Sequence, residues 1–383
     1  MSGSGHDISA GALPERIAAI PAVVAVREAA GDMPAYLVGG GVRDLLLGLD
    51  RVDLDVAVEA PAEDVAELAR RVDPDARVHD RFGTATVRVG ETEVDLAATR
   101  AESYERPGAL PSVQAAGIAD DLARRDFSVN AMAVPLAGEA ELVDPHGGLD
   151  DLGETILRAL HDRSFADDPT RALRAARYAA RLALRLDPDT ETWLRATDLE
   201  TVSAERVEAE LRRLAAEPDP QAALSLLVEW GLAEANVELA GGALEVLRRQ
   251  EWSGVADPAT AFLAAGSVRA GRFGRLEGSE GGRDLASVQG SRPSELAAAA
   301  RGRTGVELVI GRALGAEWLD RYVAEWRDVR LEIDGSDLME AGVEEGPAVG
   351  HGLAAALAAK LDGTISGRDE ELETALRAAR TVE

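Results

Sequence analysis

The apolar residues of this chain change their period near residue 155, and that change restricts the fold more than any other feature of the sequence. Before it, strand-like and helix-like stretches alternate. Residues 14–31 read as a helix, and Ala35-Tyr-Leu-Val38 as an apolar strand running into Gly39-Gly40-Gly41. Val42 to Leu47 reads as a short helix that stops at Gly48, and Val52 to Val58 alternates with period two. A helix is expected over 62–72, then strands over Thr84–Val89 and Glu93–Ala97. After residue 155 helical patterns dominate: 169–186, 190–197, 203–216, 220–232, 256–265, 292–301, 315–328, 351–361 and 368–380. Pro218, Pro220, Gly241-Gly242 and a Gly-rich stretch over 266–291 punctuate them. The expected fold class is an α/β head, a mixed sheet with helices, followed by an all-α body. At roughly 100–200 residues per domain, 383 residues allow two or three domains.

Composition narrows the chemistry. There is no cysteine, which excludes disulfides, Cys-based zinc sites and thiol nucleophiles. No run of about 18 apolar residues occurs and the N-terminus is no signal peptide, so a soluble, cytoplasmic protein without a membrane partner is expected. The five histidines show no metal-ligand spacing and read as surface or packing residues. No feature points to an oligomeric state. The net charge is −28, which by itself opposes a nucleic-acid partner, because phosphate binding needs clustered Arg or Lys. Counted by segment the charge is uneven: residues 163–185 carry +4, 269–312 carry +3, and 331–383 carry −8. If the two basic stretches face an RNA, the excess acid belongs to the outer surface.

The sharpest local motif is Asp53-Leu-Asp55 on a strand. Residues i and i+2 share a face, so the pair can hold a hard, oxygen-seeking ion such as Mg²⁺, or can be two solvated aspartates. Just upstream, Leu37 to Asp44 runs from strand through glycines into a helix, where backbone N–H groups can approach a phosphate. A phosphate cradle followed by paired carboxylates is the layout of nucleotide chemistry. Asp95 is a third acid on an apolar strand, either completing a two-metal cluster or standing as a strand-edge charge. Arg124 and Arg125 can clamp phosphate, while Asp126 and Asn130 lie four apart, on one face if helical. Asp168 reads as the cap of the first long helix, with Pro169 behind it. At about 100° per residue, Arg171, Arg174, Arg177, Arg181 and Arg185 share an arc of about 120° on that helix.

In order along the chain stand Gly39-Gly-Gly-Val-Arg-Asp-Leu-Leu-Leu-Gly48 with Asp53-Leu-Asp55, Arg124-Arg-Asp-Phe-Ser-Val-Asn-Ala131, Asp144-Pro-His-Gly-Gly-Leu-Asp-Asp-Leu152 and Asp168-Pro-Thr-Arg-Ala-Leu-Arg-Ala175. This set, within about residues 36–215, resembles the class II tRNA nucleotidyltransferases, the family of CCA-adding enzymes and bacterial poly(A) polymerases. The resemblance implies a polymerase-β-type catalytic head over 1–157, a helical neck with a nucleotide-reading motif over 158–220, and a helical body and tail over 221–383 that hold tRNA. It implies untemplated addition of CCA, or of its terminal A, from CTP and ATP, with pyrophosphate release and two Mg²⁺ ions. Asp53 and Asp55 would carry the metals with Asp95 as third carboxylate. Gly39, Gly40 and Arg43 would contact the triphosphate, and Arg124, Asp126 and Asn130 the ribose and phosphates. Asp168 and Arg171 would read the base with Arg174 beside them, and Arg177 and Arg181 would meet RNA.

The family's reading motif often begins with Glu where this chain has Asp167, one methylene shorter. A residue there that orients Arg171 would tie nucleotide selection to its length. Poly(A) polymerases of the family usually carry a basic tail, whereas this tail is acidic, which favours tRNA 3′-end maturation. A catalytically idle RNA-binding relative is the reading from another class, and the intact Asp53/Asp55 pair argues against it.

Overall fold

The structure is a computed structural model and describes residues 10–49, 53–79, 83–138, 141–274 and 276–381. Val52, the expected start of a strand, and His6 lie outside these. The chain divides into two compact units, one of residues 1–233 with 270–273, the other of 234–269 with 274–383.

The first unit is built on β1 (Ala35–Val38), β2 (Leu54–Val58), β3 (Arg77–His79), β4 (Thr84–Val89), β5 (Thr92–Ala98), β6 (Arg100–Ser103), β7 (Ser112–Ala115) and β8 (Ala133–Pro135). Six of them form one mixed sheet in the order β3-β4-β5-β2-β1-β8, while β6 and β7 pair as a separate hairpin. This is the expected mixed sheet with helices. Period-two alternation decides its faces. Val56, Val87, Val94 and Leu96 are buried, and the helices Pro21–Ala30 and Ala62–Val72 pack against β4 and β5. The opposite face carries Asp55, Asp95 and Thr86, and it is closed in part by Leu122, which packs with Val38, Ala57 and Ala133. The expected helix over 14–31 is two, Leu13–Ala18 and Pro21–Ala30. Pro21 has no amide to donate and opens the second.

The long helix of this unit, Thr170–Leu182, is shorter than expected. Ala183 leaves it in the left-handed region (φ 52°), and Arg185 lies in a two-residue strand paired with Ile156. Arg185 is therefore no part of the helical arginine stripe. Ala204–Ala215 and Pro220–Glu229 pack against the long helix.

The second unit is helical, as the pattern after residue 155 requires. Its main core gathers Trp252, Leu285, Val309, Ile310, Leu319 and Trp326, and a smaller one gathers Ile333, Leu338, Ala356 and Ala375. Here the glycines mislead. Gly241-Gly242 lies inside the helix Val237–Leu247, and the Gly-rich stretch contains the helix Ser279–Ser287. Gly281 and Gly282 let that helix approach Gly305–Ala313, itself not foreseen. A Cβ on Gly282 would stand 2.4 Å from Ile310 Cγ2, and one on Gly311 2.9 Å from Leu285 Cβ. Ile310 is branched at Cβ and fully buried, so it cannot yield cheaply. Gly282→Ala is expected to destabilise this unit by about 1–3 kcal/mol through overpacking, despite alanine's better helix propensity. Urea unfolding measures it, and a gain in stability would refute the close approach. Among the described residues no helix is long and apolar enough to cross a membrane.

Candidate active site

Asp53 stands immediately before β2, not inside it as expected, and Asp55 is the strand's second residue. The parallel pairing of β2 with β5 sets Asp55 opposite Asp95 across forty residues of sequence. The Thr86 hydroxyl, from β4, donates to Asp95 Oδ1 at 2.6 Å. Solvent reaches the Asp55 carboxylate, yet protein crowds it at the floor of a cavity. Burial raises its pKa; Arg125 opposes that, and Asp95 and Asp53 add to it by repulsion. Among the described residues no three acidic or histidine side chains gather closely enough to hold a metal ion together. β5 sets Asp95 beside Asp55, with the Thr86 hydroxyl on its Oδ1. The donors still suit a hard divalent cation: carboxylate oxygens side by side, whose mutual repulsion a cation would relieve.

That cavity, about 460 Å³, is lined by eight arginines and six carboxylates. Gly40 and Arg43 line it, and Gly39 does not. Gly39 adopts φ +66°, and a Cβ there would lie 2.5 Å from Arg125 Nη1. The glycine turn thus admits an arginine beside Asp55. Arg43 is buried, with Nε on Asp44 Oδ1 at 2.8 Å, Nη1 on Asn130 Oδ1, and its guanidinium 5.5 Å from the centre of the Tyr178 ring.

Arg124 donates to Asp121 Oδ1 (2.7 Å from Nη2) and Glu102 Oε1 (3.0 Å), while Arg125 Nη2 donates to Asp121 Oδ2 at 3.0 Å. Burial pushes the Asp121 carboxyl up, but Arg125 and Arg124 outweigh it and hold it low. Asn130 Nδ2 donates to Asp126 Oδ1 at 3.1 Å, so these two do meet. A single 3₁₀ turn, Ser128–Asn130, brings them together instead of an α-helical face. Asp126 Oδ2 lies 2.6 Å from Arg174 Nη2. Burial would raise the Asp126 pKa, yet Arg174, Asn130, Arg171 and the Phe127 amide together lower it.

The long helix begins at Thr170 with Pro169 at its N-cap position, one residue later than expected, and Asp168 stands just before it: Oδ1 accepts the Thr170 amide at 3.0 Å and hydroxyl at 2.7 Å, and also Arg206 Nη2 at 2.9 Å. Arg171 is buried three residues on and lines the same cavity. Arg177 and Arg181 line it as well, and do not form a separate basic face. Arg177 Nη1 donates to Glu210 at 3.0 Å and Nε to Glu217 at 2.8 Å, and Arg181 stands 3.8 Å from Glu217. The local surplus of +4 is thus offset by acids from the helix Ala204–Ala215 and the residues after it. In the other basic stretch, Arg312 and Arg269 meet acids from outside it, Asp320 and Glu234, while Arg292 and Arg303 pair with acids already counted within it.

Beyond the expected site residues, the lining includes Asp44, Arg100, Glu102, Tyr104, Pro111 and Tyr178. The Tyr104 hydroxyl donates to Glu102 Oε2 at 2.9 Å, and burial with that carboxylate pushes its pKa up to about 12. The Tyr178 ring centre lies 5.5 Å from the guanidinium of Arg43 and 5.4 Å from that of Arg181. Its helical spacing from Arg174 and Arg181, four and three residues, was the signal that could have found it. The hairpin brings Arg100, Glu102 and Tyr104 to the cavity wall.

Residues 35–158 match the poly(A) polymerase head domain family. A CC-adding tRNA nucleotidyltransferase of Deinococcus radiodurans is 35% identical over 370 residues, covering 92% of this chain and 91% of that protein. An A-adding tRNA nucleotidyltransferase of Halalkalibacterium halodurans is 41% identical over 217 residues, covering 54% of this chain and 51% of that protein. The match spans about half or less of the length of the A-adding relatives. Among solved structures, the Thermotoga maritima CCA-adding enzyme complexed with tRNA superposes with a TM-score of 0.73 at 26% identity, covering 96% of this chain and 98% of that one.

Proposed function

The chain belongs to the tRNA nucleotidyltransferase family, and we propose that it builds or repairs the tRNA 3′ end, adding CCA or its terminal A from CTP and ATP without a template. The observation that carries this reading is the single cavity in which Asp53 and Asp55, the arginines of two motifs and the Asp168/Arg171 pair all converge. In the reaction the RNA 3′-hydroxyl loses its proton and bonds to the α-phosphorus, the bond to the β-phosphate breaks, and pyrophosphate leaves. Asp55 and Asp53 would hold Mg²⁺, with Asp95 beside them. Bound there, divalent ions would activate the hydroxyl and neutralise charge on the phosphoryl oxygens.

The chain's own groups do the rest. Arg43, Arg124 and Arg125 offer guanidinium donors where the triphosphate would lie, and the locked Asp126–Asn130 pair shapes the ribose side. Asp168 can accept from the exocyclic amino group of C or A while Arg171 donates to ring acceptors. A tRNA substrate belongs with a cytoplasmic location and with Arg177 and Arg181 near the incoming strand.

The full-length likeness to a CC-adding enzyme favours a second reading, addition of CC alone. The test supplies tRNA ending before C74, after C75 or complete, with each labelled nucleotide separately. CTP and ATP incorporation into the first substrate is expected for CCA addition, and ATP into the second alone for A-addition. CTP incorporation without ATP selects the second reading. Long A-tails on unrelated RNA, or no incorporation at all, would overturn the proposal in favour of a poly(A) polymerase or an idle RNA-binding relative.

A further inference from the structure

The residue that aligns Arg171 is not the one its sequence neighbourhood suggests. Asp167, at the family's Glu position, turns away: its Oδ1 accepts Arg163 Nη2 at 3.1 Å. It lines a cavity of about 430 Å³ together with His161, Arg163 and Arg171, whereas of these only Arg171 also lines the one that holds Asp53 and Asp55. No hydrogen bond or ion pair joins Asp167 to Arg171 among the described residues. Arg171 Nη1 instead donates to Ser164 Oγ at 2.8 Å, and Nη2 donates to the Arg124 carbonyl at 2.6 Å.

Ser164 is fully buried, the first residue of a four-residue helix that ends at Asp167. Its backbone carbonyl accepts the Asp168 amide at 3.2 Å. One residue therefore touches both members of the base-reading pair, Asp168 through its carbonyl and Arg171 through its hydroxyl. A neutral hydroxyl holds the Arg171 guanidinium without spending its charge in a direct ion pair. A carboxylate in the same place would neutralise it.

We propose that Ser164 is a specificity-positioning residue, whose hydroxyl fixes the Arg171 guanidinium against the incoming base, and that Asp167 has no part in that alignment. This rests on the reading that Asp168 and Arg171 contact the base. The guanidinium has five donors, of which Nη1 is held by Ser164 Oγ, with the Ser164 carbonyl at 3.5 Å, and Nη2 by the Arg124 carbonyl. Losing one anchor lets the plane rotate, which relaxes discrimination before it affects the phosphates or the metal carboxylates.

The experiment compares kcat/KM for the preferred nucleotide, ATP or CTP, with kcat/KM for UTP and GTP on the full chain. Ser164→Ala and the near-isosteric Ser164→Cys are expected to lower that ratio about tenfold, as for loss of a hydrogen bond to a charged group. Asp167→Ala is expected to keep it within about twofold. Packing at the buried site is retained by cysteine, so a ratio unchanged in Ser164→Cys and lowered only in Ser164→Ala would overturn the positioning role. A wild-type ratio in both Ser164 variants, or an equal loss in Asp167→Ala, would also overturn it. Arg171→Ala, measured in parallel, separates the premise: if it too discriminates as wild type does, the base-reading assignment itself fails.

Discussion

Asp55→Asn is expected to stop nucleotide incorporation and to leave the fold no less stable. The side chain keeps its shape and loses its charge, so what would disappear is the proposed ligand of a divalent ion and nothing in the core. A Lewis-acid contribution of several kcal/mol corresponds to a rate loss on the order of 10³-fold or more. The direction of the stability change follows from the raised Asp55 pKa. A carboxyl whose folded value lies above its unfolded value favours the fold at low pH and disfavours it as pH rises through the folded value. At neutral pH removal of that charge should hold or raise the melting temperature. Labelled-nucleotide incorporation and thermal unfolding on one preparation measure both. Incorporation at the wild-type rate would sink the metal assignment.

Arg174→Met has its main effect on stability. Its partner Asp126 has a side chain only 3% exposed, against 36% for Arg174 itself. Removing the arginine strands a buried carboxylate, whereas Arg174 could turn to solvent if Asp126 were lost. Breaking such a pair costs about 3–5 kcal/mol, and the remaining bonds from Asn130 and the Phe127 amide place this case at the lower end, about 3 kcal/mol. Urea unfolding at neutral pH reads it. The pH dependence supplies an independent check. The native pKa of Asp126 is lowered, so its contribution is complete above the unfolded carboxyl value, about 3.9, and fades as pH falls through the lower native value. The gap between wild type and variant should therefore narrow below about pH 4. A gap that persists there would mean that lost packing, not the ion pair, is responsible.

The acidic partners of the arginine stripe come from distant parts of the sequence. Read along the sequence, Arg174, Arg177 and Arg181 form a basic face whose charge removal should weaken RNA binding. In the fold Arg174 answers Asp126, and Arg177 answers Glu210 and Glu217, 33 and 40 residues away. A sum of charges over a contiguous window cannot include such partners. Glycine misleads for a related reason. Gly281 and Gly282 have the composition of a loop, and only the contact with Ile310 and Glu307 reveals them as a helix–helix seam.

The sequence by itself determined the chemistry of this protein: which strand ends in glycines, which aspartates flank Leu54, which arginines and carboxylates accompany them, and where strand periodicity yields to helix. Those features are local, set by backbone conformation and by side-chain spacing within one element. Tertiary structure alone decided which of those groups act together. Parallel pairing put Asp95 beside Asp55, a turn of φ +66° at Gly39 made room for Arg125, and a buried hydroxyl at Ser164 took hold of Arg171 in place of Asp167. Coulombic and hydrogen-bond energies depend on distance through space, and distance through space is what the order of residues along a chain does not contain.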